Sequence, residues 1–386
     1  MARILVTSLP FAGHVGPMTA VAAELTRRGH EVVAYSGARY RQRFVAAGAA
    51  WLPWNFATDF DDSDLAATFP QVGDGKGLRA GKANVEHVLF GTGAGQAADI
   101  LAEVKREPFD LLVADQLAFG AALAGEVLGT PWATVALTPL SITSRDLPPP
   151  GIPVSPATGQ LGRVRDAVLR SLVRPMYQRI VDPMLNAMRA SVGLGPAPAG
   201  GGFDSLYSPY LVVAQGVPGL EYPRGDLPSH VHFVRRLAPA AAPGMSDPAV
   251  QLAPWWPELA AARAEGRPVV HVTQGTLPHD LLLPMVDVMV TNGGWGGVLA
   301  AVQAGVPLVV AGGSLDKPEV ARRVAWSGVG VNLRSGRPGA RTVCRAVRQV
   351  LSRPQLRQRV SELAVTLTAA GGADTAGTLV EGLLRA

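Results

Sequence analysis

Short runs of consecutive apolar, β-branched residues recur along this chain, each leading through a loop into a helix-like stretch. That recurrence constrains the fold more than any other feature. Residues 3–8 form such a run, residues 17–28 read as a helix with Pro17 in its first turn, and Gly29 supplies a stop signal before the next strand at 30–35. Strand, helix and strand within about 35 residues make a βαβ unit, and strands this uniformly apolar suit a parallel sheet covered on both faces. The pattern returns at 109–115, 131–137 and 210–215, so one α/β domain is expected over residues 1–236. An Ala- and Pro-rich stretch, 237–266, reads as a linker. A second series follows over 267–386, with strands at 268–273, 287–291 and 307–311 and helices at 279–285, 296–303, 318–327, 341–351 and 356–366.

Two domains suit the length, since 386 residues exceed a single ordinary core. A hydrophobic content of 48% against 17% charged residues excludes a disordered or fibrous chain. The net charge of +5 reads as scattered arginine with no basic tract interleaved with aromatics, so no nucleic-acid partner is expected. A single cysteine, Cys344, excludes an internal disulfide and suits a reducing, cytoplasmic compartment. The first residues run directly into a strand with no export leader, and no run approaches the roughly 18 apolar residues of a membrane span. A soluble protein without a membrane partner is expected.

Two long segments interrupt the first domain, 59–82 and 140–162, and such segments are either binding loops or disordered surface. Residues 163–192 read as an amphipathic helix that either walls a pocket or simply packs.

The chemistry-bearing residues gather at strand ends. His14 follows the first strand, at the carboxyl edge where open α/β sheets bind ligands. A helix N-terminus beside it disfavours the imidazolium and is expected to keep the ring a neutral base, although a helix cap is the plain alternative. Asp115 ends the strand 109–115 on the same edge and can accept from one imidazole nitrogen while the other takes a proton. Asn292, Gly293, Gly294, Gly296 and Gly297 join a strand to a helix, where unhindered backbone N–H groups suit a pyrophosphate. No Lys-Ser or Lys-Thr follows, so this is not a Walker loop. Asp316 and Lys317 lie one strand along, suited to sugar hydroxyls and to phosphate. The histidines, including His230 and His232, show no zinc spacing, and no metal is expected.

Taken jointly these motifs resemble the GT-B glycosyltransferases of bacterial natural-product pathways, those acting on macrolides, enediynes and aromatic polyketides. The resemblance rests on Gly13-His14-Val15-Gly16-Pro17, on 109–115 with Gln116, on Glu221-Tyr222-Pro223-Arg224, on 271–276, and most of all on 288–298 continuing through 304–313 to Asp316-Lys317-Pro318-Glu319. It implies two Rossmann-like domains and an inverting transfer without metal or cofactor, from a TDP- or UDP-sugar to a hydroxyl of a small apolar polyketide or peptide natural product. His14 would remove the hydroxyl proton with Asp115 in support. Asn292 to Gly297 would hold the pyrophosphate and Asp316 would read the sugar hydroxyls, with Thr276 and Lys317 in the same donor site. The acceptor would lie in the first domain under its two long loops, and a homodimer fits the family.

One departure is large. Where the family places two β/α units after its Thr-Gln-Gly-Thr strand end, this chain runs from Gln274-Gly275-Thr276-Leu277 straight into Pro278. With strand order 3-2-1-4-5-6, loss of strands 2 and 3 leaves 1-4-5-6 contiguous and 268–273 as a new edge strand. The C-terminal domain is therefore expected to be reduced and its nucleotide pocket open. Arg235 and Arg236 stand where the family has a glycine, to contact phosphate or to obstruct it. Alternatives to sugar transfer are an auxiliary protein that binds the small molecule, or another reaction on it.

Overall fold

The computed structural model describes residues 1–73, 77–152, 154–238, 254–273 and 279–385. Residues 239–253 of the expected linker, and the 274–278 junction with Thr276, lie outside the described residues.

The apolar runs form two parallel sheets. The first contains β1 (Arg3–Thr7), β2 (Glu31–Tyr35), β3 (Ala50–Leu52), β4 (Leu111–Asp115), β5 (Trp132–Ala136), β6 (Leu211–Gln215) and β7 (Val231–Val234), ordered β3-β2-β1-β4-β5-β6-β7. The second contains β8 (Val270–Val272), β9 (Val288–Thr291), β10 (Leu308–Val310) and β11 (Gly330–Asn332), ordered β11-β10-β9-β8. Both are α/β architectures with parallel strands, as the strand-helix alternation requires. The strands β3 (Ala-Trp-Leu) and β11 (Gly-Val-Asn) escape the sequence pattern because neither holds the run of β-branched apolar residues that marks the equally short β8 and β10.

Successive strand residues face opposite sides, so each run feeds two cores. Leu5, Val33 and Leu112 join one core with the helices Gly91–Val104 and Phe119–Leu128. Ile4, Val6, Val32 and Val113 join the other, against Val15, Met18, Val21 and Leu25 of the first helix. The first pair of helices meets where Gly120 leaves no room: a Cβ there would lie 2.2 Å from Gln96 Cβ. The last helix, Ala373–Leu383, returns to the first lobe and packs beside the first helix through Ala376 and Val380. Arg28 fixes it by donating to Glu381 at 2.7 Å.

Two sequence expectations need correction. The first helix spans Ala12–Arg27 and begins five residues before Pro17. Pro17 thus stands beyond the first turn, where it takes one N–H out of the helix ladder, and His14 lies within the first turn rather than in a preceding loop. Nor is the positive charge evenly scattered. Arg334, Arg337, Arg341, Arg345, Arg348 and Arg353 are exposed, and among the described residues none of them makes an ion pair; no Asp or Glu occurs between Glu319 and Glu362.

Candidate active site

The chain turns from β1 toward β2 on one side and β4 on the other, so β1 and β4 flank the switch point of the first sheet. Open α/β sheets bind ligands outside the carboxyl ends of the strands at such a point. β1 leads into the helix that carries His14, and β4 ends on Asp115. Register Thr7↔Ala114 brings the two together. His14 Nδ1 lies 2.8 Å from Asp115 Oδ2. The same oxygen accepts from Leu9 N–H at 3.0 Å, and Oδ1 accepts from Leu117 N–H at 3.0 Å. A carboxylate only accepts, so Nδ1 carries the proton and Nε2 is the basic nitrogen. The His14 side chain retains 14% exposure, while that of Asp115 is fully enclosed.

The helix end does not govern the ring as expected. Burial by itself would lower the His14 pKa, but the Asp115 carboxylate, by charge and hydrogen bond, and then the charge of Asp316 outweigh it, and the net push is upward. The sign of the sequence expectation is reversed because an ion pair at hydrogen-bond distance exceeds a helix dipole, which contributes about 0.3–1 kcal/mol. The capping alternative also fails: Phe11 is the cap position with no side-chain bond, and Asp62 Oδ2 accepts from Ala12 N–H at 2.8 Å instead. Asp62 belongs to the acidic loop, whose start is thus tied to the body.

In the second sheet the turn after β9 enters the helix Trp295–Gln303. Gly293 holds φ +89°, which favours glycine, and a Cβ there would press on Val310 Cγ1 at 2.9 Å. Asn292 is exposed, and its Oδ1 accepts from Gly294 N–H at 3.3 Å. The helix has no side-chain cap, and a Cβ at Gly296 would meet open space. A Cβ at Gly297 would lie at ordinary contact distance from Met289 and His279. The turn is anchored by Trp295, which sequence reasoning passed over although it stands among four glycines. Its indole is buried and donates to the Gln215 carbonyl at 2.9 Å, at the end of β6 in the other lobe.

Asp316 is the cap residue of the helix Lys317–Trp326, directly after Leu315, whose φ of 55° sets the turn. Burial, the largest influence, raises the Asp316 pKa; backbone hydrogen bonding, Lys317 and His14 oppose it. His14 and Asp316, on different lobes, are thus near enough for each charge to act on the other. Asn292, the glycines and Asp316 share one sheet edge, and Thr276 alone among the candidate residues lies outside the described residues.

Beside His14 stands an aromatic series that single residues did not reveal. Phe11 lies 5.8 Å from the His14 ring and 5.3 Å from Phe60, and Phe60 meets Trp54 and Phe69. Arg235 and Arg236 face elsewhere. They line an open cleft of about 460 Å³ with Arg27, Glu24, Asp280 and Asp374, in which Arg236 pairs with Asp280. Among the described residues no group of three or more His, Cys, Asp or Glu is placed to hold a metal, and no helix is long and apolar enough to cross a membrane.

Comparison with known proteins agrees with this arrangement. Residues 267–379 match the family of the erythromycin biosynthesis protein CIII-like C-terminal domain. The 4'-demethylrebeccamycin synthase of Lentzea aerocolonigenes is 37% identical across 99% of this chain and 100% of its own length. That alignment runs over 429 positions, more than the 386 residues here, so the relative carries stretches with no counterpart in this chain. Among solved structures, the calicheamicin glycosyltransferase CalG4 matches with TM-score 0.69 at 19% identity, covering 100% of this chain and 98% of that one. The glycosyltransferase VinC, solved in complex with dTDP, matches with TM-score 0.68 at 18% identity over 100% of both. With these motifs on two parallel-sheet lobes, the chain belongs to the GT-B glycosyltransferases of natural-product biosynthesis, enzymes that take a nucleotide sugar as co-substrate.

Proposed function

We propose that this enzyme moves a sugar from a TDP- or UDP-sugar onto a hydroxyl of a small apolar natural product, with inversion and with His14 as the general base. The observation that carries the reading is the 2.8 Å contact of His14 Nδ1 with enclosed Asp115, which leaves Nε2 as the basic atom, within reach of the Asp316 charge. Nε2 takes the acceptor proton while the oxygen attacks the anomeric carbon. The bond from that carbon to the β-phosphate oxygen breaks from the opposite face, and the nucleoside diphosphate leaves with the electron pair. Asp115 stabilises the imidazolium so formed. The uncapped turn Asn292 to Gly297 would meet the charge growing on the leaving group, with Asp316 and Lys317 at the sugar. Phe11 and Phe60 beside the base suit an apolar ring system.

The donor lobe in this reading is reduced by about two β/α units, and three features support it. The second sheet has four strands with β8 at its edge. Val270 and Val272 of β8 are exposed whereas all four residues of β9 are buried, and the alignment with the Lentzea relative runs longer than this chain. A switch-point crevice between β8 and β9 then lacks its outer wall. Losing a stacked or apolar contact to the base costs about 1–3 kcal/mol, so nucleotide binding is expected to be roughly 5- to 150-fold weaker than in relatives with the full lobe. Calorimetric titration with TDP and UDP tests this. Weak, saturable binding supports the reading; tight binding refutes the open pocket. The bare edge also favours a second reading, a small-molecule-binding protein without transfer, and an absence of nucleotide binding at millimolar concentration would select it.

A further inference from the structure

The sequence motif Glu221-Tyr222-Pro223-Arg224 plays no part in the chemistry above, yet it meets Arg323, the largest fully buried side chain among the described residues. Arg323 belongs to the helix Lys317–Trp326 of the donor lobe, two turns beyond Asp316. Its Nη1 donates to Glu221 Oε2 at 2.6 Å, with the two side chains 1% and 3% exposed. Its guanidinium carbon lies 4.2 Å from the centre of the Tyr222 ring. Nη2 donates to Glu319 of its own helix at 3.0 Å and reaches the Leu140 carbonyl at 3.5 Å. The other oxygen of Glu221 accepts from Leu140 N–H at 3.2 Å. Leu140 opens the long acceptor-side loop. One buried ion pair therefore grips both backbone groups of the residue where that loop begins, and also the helix whose first turn presents Asp316.

A buried charge pair is poor evidence of stability, since well-packed apolar residues often serve as well, and its better-attested use is to fix register. Register is what this site demands: Asp316 and His14 sit on different lobes, their charges act on one another, and the transfer reading needs both at one reacting centre. Arg323 shares its lobe with Asp316, and Glu221 shares its lobe with His14. We propose that Glu221 and Arg323 are positioning residues, a buried latch between the lobes that sets Asp316 opposite His14 and ties the root of the acceptor loop to the same point. The assignment rests on the transfer reading for its purpose but not for its geometry.

The test reads the facing geometry directly. The titration midpoint of His14 is followed by NMR of the labelled imidazole in the full chain, in the wild type and in Asp316→Asn, Glu221→Gln, Arg323→Lys and Glu319→Gln. His14 is flanked by Asp115 on its own lobe and by Asp316 across the cleft, so loss of the latter lowers the midpoint. Glu221→Gln is expected to lower it as Asp316→Asn does, and adding Asp316→Asn to Glu221→Gln is expected to lower it no further. Glu319→Gln leaves the interlobe contact in place and is expected to leave the midpoint unchanged. A folded Glu221→Gln with an unmoved midpoint, where Asp316→Asn moves it, overturns the latch; so does an unmoved midpoint in Asp316→Asn. If Glu221→Gln does not fold, Arg323→Lys, which keeps the buried charge but shortens its reach, carries the same expectation. TDP titration of the wild type separates the two claims: failure to bind refutes the transfer reading and leaves the latch to stand or fall on the His14 midpoints.

Discussion

Replacing Asp115 by Asn removes a charge while keeping the shape of the side chain, and the structure sets the size of the effect. Asp115 is enclosed, and its bond to His14 is the only one it makes to a group whose charge changes during transfer. A hydrogen bond to a charged group contributes about 1.5–3 kcal/mol, so loss of support for the imidazolium is expected to lower kcat about 10- to 150-fold. The pH profile supplies a second reading. His14 must be neutral to act, and its pKa is raised, so the acidic limb of kcat/KM in the wild type lies above the ordinary imidazole value of 6.5. Without the Asp115 charge, burial lowers the pKa against Asp316 alone, and the limb moves to lower pH while the plateau falls. The Asn amide also faces one backbone N–H that a carboxylate oxygen now satisfies, which costs about 1–3 kcal/mol in stability. Steady-state kinetics from pH 5 to 9, with circular dichroism as a control for folding, measures both effects. A plateau within threefold of wild type, or a limb that stays in place, would refute the assignment of His14 and Asp115 as base and support.

Two further substitutions separate the donor seat from its anchor. Gly296→Val places a side chain in open space over the proposed pyrophosphate seat, so urea unfolding is expected to change by less than about 0.5 kcal/mol while TDP affinity falls at least tenfold; unchanged affinity contradicts that seat. Trp295→Phe deletes the indole donor and leaves the Gln215 carbonyl without its partner, at an expected cost of about 1–3 kcal/mol in urea unfolding, and an unfolding midpoint equal to wild type removes Trp295 as an anchor between lobes.

The α/β class and most strands were legible because the inner strands are apolar runs that the sheets bury on both faces. β3 and β11 were not, since Ala-Trp-Leu and Gly-Val-Asn hold no run of β-branched apolar residues. His14 and Asp115 were legible as neighbours because strand ends share an edge. The sign of the His14 shift was not, since it depends on a distance between residues 101 apart in the chain. The start of the first helix was misplaced because Pro17 reads as a first-turn signal, whereas the chain carries it further inside. Trp295 and Arg323 were passed over for a common reason: each acts through a contact with the other lobe, and no local spacing encodes such a contact. The arginine-rich stretch 334–353 was visible in the sequence as a run without acids, and became a patch only once its side chains proved exposed and unpaired.

The most direct measurement is transfer itself. The purified protein is incubated with TDP- and UDP-sugars and a panel of planar and macrocyclic aglycones, and products are read by mass spectrometry and by the anomeric coupling in NMR. The account predicts a glycoside whose anomeric configuration is opposite to that of the donor, formed by the wild type and lost in a folded His14→Ala variant. A glycoside of retained configuration, or one formed by His14→Ala within a few-fold of the wild-type rate, would contradict it.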